Sequence, residues 1–398
     1  MKIAIFSDNF YPELSGIADS IVILAKELVN LGHIINFYVP KYSLKNYRKV
    51  GFTGKEIDLG ESIKIFRFFS LPYPTATGQS RLVVPTGLRS VFIKKFNPDI
   101  IHSQLFFGVG IEALAAARLL KKPIVGTNHT AITEFVRYSP IKTEWFKKIS
   151  AQYLIWYYNH CNYVTAPAQS IIDEMIKNGL TRISQVISNP IDTAVFNCDL
   201  RKDSRAIKQE FNLSAATVVY AGRLAAEKSI EPIIRAIALV KKEIPEINLA
   251  LAGHGSSEKS LKDLAKELKI EHQVKFLGTL DKPTLAKLYQ ACEVFVIMST
   301  SEVQNMCMLQ AMACGLPMVG VRWRGVTDLV GEKNGYLVAK DDYQALAEKI
   351  IFLYKNNKTR QACGQAAFNF VSNYSSQNVA REWEKLYEKV IDDFEKSV

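Results

Sequence analysis

The sequence contains no long apolar run, although 48% of its 398 residues are hydrophobic. A helix that crosses a bilayer needs roughly 18 to 20 consecutive apolar residues, and no stretch of the chain reaches that length. The opening MKIAIFSDNFYPE becomes polar and acidic too early for a secretory signal peptide. We therefore expect a cytoplasmic protein, whose association with the inner face of the cell membrane would be peripheral.

Closely spaced metal ligands are also missing. Six cysteines are scattered along the chain without a C-x-x-C pair, and six histidines form no H-E-x-x-H pattern. Neither a disulfide framework nor a metal site is indicated. The cysteines are predicted to be small core residues, and no metal or other cofactor is expected.

Acidic residues are in the minority: 39 Asp and Glu against 50 Lys and Arg give a formal net charge of +11. A basic chain can attract nucleotides, anionic membranes or nucleic acid, but many lysine-rich proteins carry such a charge without such a role. No nucleic-acid-binding motif accompanies the charge, so nucleic acid is not an expected partner. The length of 398 residues predicts two domains.

The most informative stretch runs from residue 299 to 317 and reads STSEVQNMCMLQAMACGLP. The β-branched run Val294–Ile297 before it predicts a buried parallel strand, and a helix is expected to start near residue 305. The free N–H groups of that helix favour an anion at the turn. Glu302 lies on the turn and Gln310 about two helical turns further on, which would suit a sugar that carries a phosphate. An ordinary strand and helix, with Glu302 as a cap, is the open alternative.

Two glycine-containing loops follow predicted strands earlier in this half of the chain. After the strand Val218–Ala221 comes Gly222, followed by Arg223 and Lys228. An Arg and a Lys on one loop can both reach one diphosphate, unless they are an unpartnered surface pair. After the strand at Leu249 to Ala252 comes the triplet formed by Gly253, His254 and Gly255.

The N-terminal half opens with a strand at Lys2–Phe6, a loop, a helix and a second strand, which is a Rossmann-like beginning without G-x-G-x-x-G. A G-x-G-x-x-A pattern occurs later at Gly108, Gly110 and Ala113. Residues intervene between its strand and its glycines, and no acidic residue follows about 20 positions on. We reject it as a cofactor site and predict that the glycines ease helix packing.

Two histidines, His102 and His129, stand at the ends of predicted strands, where α/β sheets bind ligands. A structural role is the alternative for each of them.

Residues 135–158 are dense in aromatic and basic side chains, of which Tyr138, Trp145, Lys147 and Lys148 are candidates for an acceptor or membrane surface. An ordinary helix with inward aromatics and solvated lysines remains the other interpretation.

Several of these motifs resemble those of retaining glycosyltransferases of glycosyltransferase family 4. Glu302 and Gln310 match the E-x7-E signature, with Gln in place of the second Glu, and the residues that follow match A-M-A-x-G-x-P. The segment 222–228 is similar to the family's G-R-x-x-x-x-K, and residues 253–255 to its G-x-G turn. Ser15 and Gly16 match its Gly-Gly loop with one replacement. His129 matches its strand-end T-x-H.

The resemblance implies an α/β protein of the GT-B fold, with two Rossmann-like, doubly wound parallel-sheet domains that face a cleft. Residues 1–195 would form the N-terminal acceptor domain and residues 196–371 the nucleotide-sugar domain. Residues 372–398 would be a helix that crosses back onto the first domain.

Roles in the site follow from the same resemblance. Arg223 and Lys228 would stabilise the departing diphosphate, and Glu302 and His129 would contact the transferred sugar. Gln310 would bind the ribose. The remaining donor-binding positions would be Ser15, Gly16, Gly222, Gly253, His254, Gly255 and the amides of Gln304, Asn305 and Met306.

The stretches YPELSGIADSI and NHTAITEF look most like bacterial diacylglycerol glucosyltransferases and related lipid-directed enzymes. The expected activity is metal-independent transfer of a hexose, with glucose from UDP-glucose as the first choice, to a hydroxyl of a lipid such as diacylglycerol or of a glycan. A GDP-mannose-dependent mannosyltransferase stays open. So does a weakened nucleotide-sugar-binding homologue, because Gln310 replaces the usual Glu.

Overall fold

The structure is a computed structural model that describes residues 1–13, 15–49, 56–72, 81–87, 89–131, 143–198 and 204–397. Its contacts divide the chain into two compact units. Unit 1 comprises Met1–Pro190 and Ser376–Val398, and unit 2 comprises Ile191–Ser375. Unit 2 therefore lies between residues 190 and 376. The sequence analysis placed the two domain boundaries after residues 195 and 371.

Unit 1 is organised around a parallel sheet, which has seven strands in the described residues in the order β3-β2-β1-β6-β7-β8-β9. Residues 3–6 are fully buried, as expected for a strand covered on both faces. A short antiparallel pair, β4 with β5, lies outside this sheet. The strands are β1 (Lys2–Phe6), β2 (Ile34–Pro40), β3 (Ile63–Phe68), β4 (Leu71–Pro72), β5 (Arg81–Leu82), β6 (Ile100–Ser103), β7 (Ile124–Thr127), β8 (Tyr163–Ala166) and β9 (Ser184–Val186).

Helices connect these strands, as parallel pairing requires. They are α1 (Gly16–Asn30), α2 (Leu44–Lys49), α3 (Ser90–Phe96), α4 (Gly108–Leu120), α5 (Glu144–Asn159) and α6 (Gln169–Lys177). At the start of α4, the carboxylate of Asp8 accepts hydrogen bonds from the amides of Val109 (2.8 Å) and Gly110 (3.3 Å). A protein carboxylate therefore occupies the helix N-terminus at which the rejected G-x-G-x-x-A pattern would have placed a phosphate.

Unit 2 contains a second parallel sheet, with the order β12-β11-β10-β13-β14-β15. Its strands are β10 (Thr217–Ala221), β11 (Asn248–Ala252), β12 (Val274–Gly278), β13 (Val294–Ile297), β14 (Met318–Val321) and β15 (Gly335–Val338). Its helices are α7 (Ser204–Glu210), α8 (Glu231–Glu243), α9 (Glu258–Glu267), α10 (Lys282–Ala291), α11 (Met306–Ala313), α12 (Arg324–Leu329), α13 (Tyr343–Lys355) and α14 (Asn357–Val371). Short 3-10 turns lie at Ala226–Lys228 and Ser372–Tyr374.

The last helix, α15 (Ser376–Glu395), packs on α1 within unit 1. Its buried residues recur every three or four positions and include Val379, Trp383, Tyr387 and Val390, so one apolar face meets the unit. Polar contacts fix its start, because Ser376 Oγ donates to the Glu27 carboxylate at 2.6 Å. The predicted tail helix was expected from residue 372 and begins at Ser376.

Both sheets reverse their winding at one point, between β1 and β6 in unit 1 and between β10 and β13 in unit 2. Two Rossmann-like parallel-sheet units are therefore present, and the predicted fold class is confirmed. Ligands of such sheets bind at the carboxyl ends of the strands beside this switch point. The loops after β10 and β13 occupy that place in unit 2, and those after β1 and β6 occupy it in unit 1.

His102, on β6, is fully buried and connects the sheet of unit 1 to α15. Its Nδ1 lies 2.7 Å from the Tyr387 hydroxyl and its Nε2 lies 2.7 Å from Thr127 Oγ1. The ring also packs 4.4 Å from the ring of Trp383, measured between centroids. Burial, with a smaller contribution from His129, lowers the pKa of His102 to about 3.

Replacing His102 should change how the stability of unit 1 depends on pH. The pKa is lower in the folded state, so the unfolded chain binds the extra proton below its ordinary value near 6.5, and stability is lost as pH falls from there. His102→Gln removes this effect, which amounts to about 2 kcal/mol at pH 5 for one histidine. Urea unfolding at pH 7.5 and pH 5 measures it.

The comparison uses a Trp323→Phe background, in which the tryptophan emission comes from unit 1 alone. His272→Gln is the matched control, because the His272 side chain is 90% exposed. Equal loss of stability toward pH 5 in His102→Gln and in the control would contradict the expectation.

Candidate active site

The loop after β10 is shaped by close backbone approach to the loop after β11. Gly222 has φ +144° and Gly253 φ +147°, a region that side chains disfavour. A Cβ on Gly253 would lie 1.9 Å from the Gly222 carbonyl oxygen, and one on Gly255 would lie 2.2 Å from that of Leu224. The two glycine loops therefore form one tight layer at the carboxyl ends of their strands.

Two ion pairs stand on this layer. The Arg223 guanidinium lies 2.9 Å from the Glu227 carboxylate, and the Lys228 ammonium lies 2.7 Å from Glu302. Lys228 also donates to Ser301 Oγ at 3.3 Å. The second pair joins the loop after β10 to the loop after β13, across the switch point of the sheet.

Glu302 is nearly buried and ionised. Burial by itself raises the pKa of this carboxyl, but the charge and hydrogen bond of Lys228 outweigh it, aided by hydrogen bonds from Ser299 and Asn305. The net result is a pKa below the ordinary value of a glutamate. The site thus holds a negatively charged acceptor of hydrogen bonds in a largely dry place.

Helix α11 begins at Met306, four residues after Glu302. Asn305 is its N-cap, with Oδ1 accepting from the Met308 amide at 2.9 Å, so Glu302 is not the cap. Gln304, Asn305 and Met306 occupy the entry to the helix, and Gln310 is buried within it. Their amides lie on the chain immediately after the carboxylate.

Helix α12 packs against the loop that carries Glu302. A Cβ added to Gly325, near the start of α12, would lie 1.7 Å from the Val303 carbonyl oxygen and 3.0 Å from that of Glu302. The backbones of the two segments are therefore in direct contact. The position of Glu302 is fixed by main-chain packing as well as by its ion pair.

His254 differs from its neighbours in the predicted donor site. Its side chain is 74% exposed and Nδ1 lies 2.7 Å from the Glu258 carboxylate, four residues along the chain. The residue belongs to the same glycine layer as Gly253 and Gly255, but its ring stands at the surface of unit 2.

The predicted residues of unit 1 lie at the carboxyl ends of its central strands. Ser15 is the N-cap of α1: Oγ accepts from the Ala18 amide at 3.1 Å and donates to Asn9 Oδ1 at 2.5 Å, and Gly16 is the first residue of the helix. His129 follows β7 and is half-buried, with Nε2 2.7 Å from Gln104 Oε1. Burial lowers the pKa of His129 to about 4.

Helix α5 contains the described part of the aromatic and basic segment, and it has one buried and one exposed face. Trp145, Lys148, Ile149, Gln152 and Trp156 share the exposed face, and we call these five residues the α5 stripe. Trp145 is 61% exposed, Ile149 51% and Trp156 46%. Lys147 lies on the same helix, but the structure does not describe its side chain. Tyr138 lies outside the described residues.

Sequence reasoning missed three residues of these sites. Glu227 pairs with Arg223, and its spacing of four residues was the available signal. Tyr220 is buried, and its hydroxyl donates to the Arg223 carbonyl at 3.2 Å, while Gln104 contacts His129. These last two contacts carry no local sequence signal.

The arrangement in unit 2 can bind a small anion and a hydroxylated group side by side. Two cations lie at the carboxyl ends of the strands, and an ionised carboxylate and the first amides of α11 lie beside them. Within the described parts of the chain, no group of three His, Cys, Asp or Glu side chains is placed to hold a metal ion.

Comparison with known proteins gives two family matches, one for each half of the chain. Residues 14–195 match the profile of Glycosyltransferase Family 4, and residues 202–370 match that of Glycosyl transferases group 1. An alpha-monoglucosyldiacylglycerol synthase from Streptococcus pneumoniae is 26% identical, over 96% of this chain and 89% of its own. A GDP-mannose-dependent alpha-mannosyltransferase from Corynebacterium glutamicum is also 26% identical, over 92% of this chain and 84% of its own.

Among solved structures, that of Anabaena HepE in complex with UDP has a TM-score of 0.78 at 18% identity, covering 98% of this chain and 100% of that one. The likeness is one of fold, and it agrees with the two parallel-sheet units. The two profiles together span most of the sequence. The chain therefore belongs to the GT-B glycosyltransferases, with family 4 and group 1 domains, and it is a hexosyltransferase.

Proposed function

We propose that this enzyme transfers glucose from UDP-glucose to a hydroxyl of a membrane lipid such as diacylglycerol, with retention at the anomeric carbon. The observation that carries the proposal is the pairing of Lys228 with Glu302 beside Arg223, at the switch point of unit 2. The glucose and lipid assignments are supported by the similarity to a glucosyldiacylglycerol synthase along almost the whole chain.

The two cations are proposed to bind the diphosphate of the donor. Each already has a carboxylate partner, so the four side chains together carry no net charge. When the diphosphate binds, it replaces Glu227 and Glu302 as the partner of Arg223 and Lys228. The two cations then stabilise the negative charge that grows on the leaving group during transfer. Because these two cations supply the positive charge that balances the leaving diphosphate, the proposed reaction needs no divalent metal.

Glu302 is proposed to accept hydrogen bonds from the transferred sugar once Lys228 turns to the diphosphate. The amides of Gln304, Asn305 and Met306 lie next along the chain and would donate to the same sugar. Gln310 would bind the ribose. Its amide makes a weaker hydrogen bond than the charge-assisted bond of a carboxylate.

The α5 stripe supports a lipid acceptor. Trp side chains favour the interface between lipid and water, and lysine favours anionic headgroups. Two exposed Trp and one exposed Ile on a single helix face form an apolar surface that ordinary solvated helices avoid. We propose that this face lies on an anionic bilayer. Within the described residues, no helix is long and apolar enough to cross one.

Removing the Lys228 charge should abolish most activity. In Lys228→Met, kcat with UDP-glucose and diacylglycerol in mixed vesicles should fall by roughly 100-fold or more, as for loss of one preorganised transition-state contact. Lys262→Met is the matched control, because Lys262 makes an exposed ion pair with Glu258. Unchanged kcat in Lys228→Met, with thermal unfolding intact, would exclude Lys228 from the diphosphate site.

Restoring the second acid should strengthen donor binding. Gln310→Glu gains a charge-assisted hydrogen bond to the ribose, and the KM for the donor should fall about fivefold. The assay offers a panel of UDP- and GDP-sugars to both proteins, with exposed Gln209→Glu as the charge control.

The outcomes of this panel separate the functions. Turnover of GDP-mannose alone would favour a mannosyltransferase, and activity in Gln310→Glu alone would favour a weakened binding homologue. An unchanged KM would place Gln310 away from the ribose.

Membrane binding should depend on the α5 stripe. Trp145→Ala with Trp156→Ala should weaken binding to vesicles that contain 30% anionic lipid by about tenfold, because two interfacial aromatic side chains are lost. Sedimentation with vesicles measures it, with Trp323→Ala as the control, since Trp323 is similarly exposed at 41% but lies in unit 2. Equal binding of the double variant and the control would refute the proposal that the α5 stripe binds the membrane.

A further inference from the structure

We propose that Gln104 is a positioning residue that holds His129 with its proton on Nε2, so that Nδ1 is presented as an acceptor to a substrate hydroxyl. The inference deepens the proposed function and rests on it for the substrates whose hydroxyl groups His129 would meet. Gln104 itself is 2% exposed and is more deeply buried than His129. It is therefore placed to orient the histidine without touching the substrate.

Adjacent strands bring the two residues together. Gln104 directly follows β6 and His129 follows β7, and these strands are hydrogen-bonded neighbours in the sheet of unit 1. The oxygen Oε1 of Gln104 lies 2.7 Å from Nε2 of His129. This short hydrogen bond, between buried Gln104 and half-buried His129 at the carboxyl ends of two central strands, fixes the rotation of the imidazole about its χ2 angle.

The surroundings of Gln104 decide which end of its amide faces His129. Its Nε2 lies 3.3 Å from Nδ1 and 3.1 Å from Nε2 of His102. Both of those ring nitrogens already have partners, the hydroxyls of Tyr387 and Thr127. An amide nitrogen near both nitrogens at once lies over the ring, where an N–H is attracted to the π face and a carbonyl oxygen is repelled.

The protonation of His129 follows from this orientation. With the amide nitrogen over His102, the atom that faces His129 is an acceptor, so His129 Nε2 must be the donor. In a neutral imidazole the other nitrogen then carries a lone pair. Nδ1 of His129 has no hydrogen-bond partner among the residues that the structure describes. The proposal assigns this lone pair to a substrate hydroxyl.

A chain of buried contacts keeps Gln104 in place. His102 is held by Tyr387 from α15 and by Thr127 from β7, and Thr127 Oγ1 lies 2.7 Å from Thr165 Oγ1 on β8. Burial lowers the pKa of His102 to about 3 and that of His129 to about 4, so both rings stay neutral near pH 7. The histidine therefore offers an uncharged acceptor, suited to a hydroxyl and unsuited to a phosphate.

The experiment observes the His129 ring directly by NMR of protein labelled with ¹⁵N at histidine, with His129→Asn to assign the signals. We expect the proton on Nε2, in slow exchange with water. Gln104→Met, which has similar length and no acceptor, should lose the slow exchange. Gln104→Glu should keep the Nε2 proton at pH 8, because an oxygen stays in place.

Ligands then identify the hydroxyl. UDP-glucose and dioctanoylglycerol micelles are added separately, with UDP alone as the reference, and the ligand that supplies the hydroxyl should shift the Nδ1 signal. In transfer assays, Gln104→Met should lower kcat roughly five- to tenfold, the effect of one hydrogen bond, with the donor KM changed less than twofold.

A proton on Nδ1, or the same slow exchange in Gln104→Met, would overturn the inference. So would an Nδ1 signal that neither ligand shifts. These readings come from the ring of His129 and not from turnover. Failure of the proposed transfer reaction would therefore be seen separately, as the absence of product from the unmodified protein.

Discussion

The buried ion pair between Lys228 and Glu302 is the interaction on which the site of unit 2 depends. It joins two loops that are more than 70 residues apart in sequence and that leave the sheet on either side of its switch point. Removing one partner of such a pair leaves the other as an uncompensated buried charge. The pair therefore holds the loops together until a ligand that can replace one partner arrives.

Main-chain packing makes this pairing possible. The glycines after β10 and β11 allow two loops to touch, and Gly325 allows α12 to touch the segment that carries Glu302. A Cβ on Gly253, Gly255 or Gly325 would overlap backbone atoms of the neighbouring loop. The cations and the carboxylate are thus carried by backbone segments that pack directly on one another.

Unit 1 is built on a different principle, a buried network of neutral polar groups. His102, Gln104 and Thr127 satisfy one another, and Tyr387 brings the C-terminal helix into the same network. Such a network is costly if any member is unpaired, so it specifies one arrangement of side chains. It also ties the end of the chain to the strand ends near His129.

The sequence by itself determined the short buried strands and the order of the motifs, because strand length and β-branched runs are local properties. The two parallel-sheet domains were implied by the resemblance that those motifs carry. The sequence predicted β1 and β13 with their observed bounds, and it singled out Arg223, Lys228 and Glu302. It left open whether the aromatics around residue 150 face inward, and the structure answers that α5 has one face of each kind. Only the tertiary structure decided that Glu227 pairs with Arg223, that Asp8 caps α4, and that Gln104 contacts His129. Those contacts depend on strand register and on the side from which each loop approaches, which no local pattern encodes.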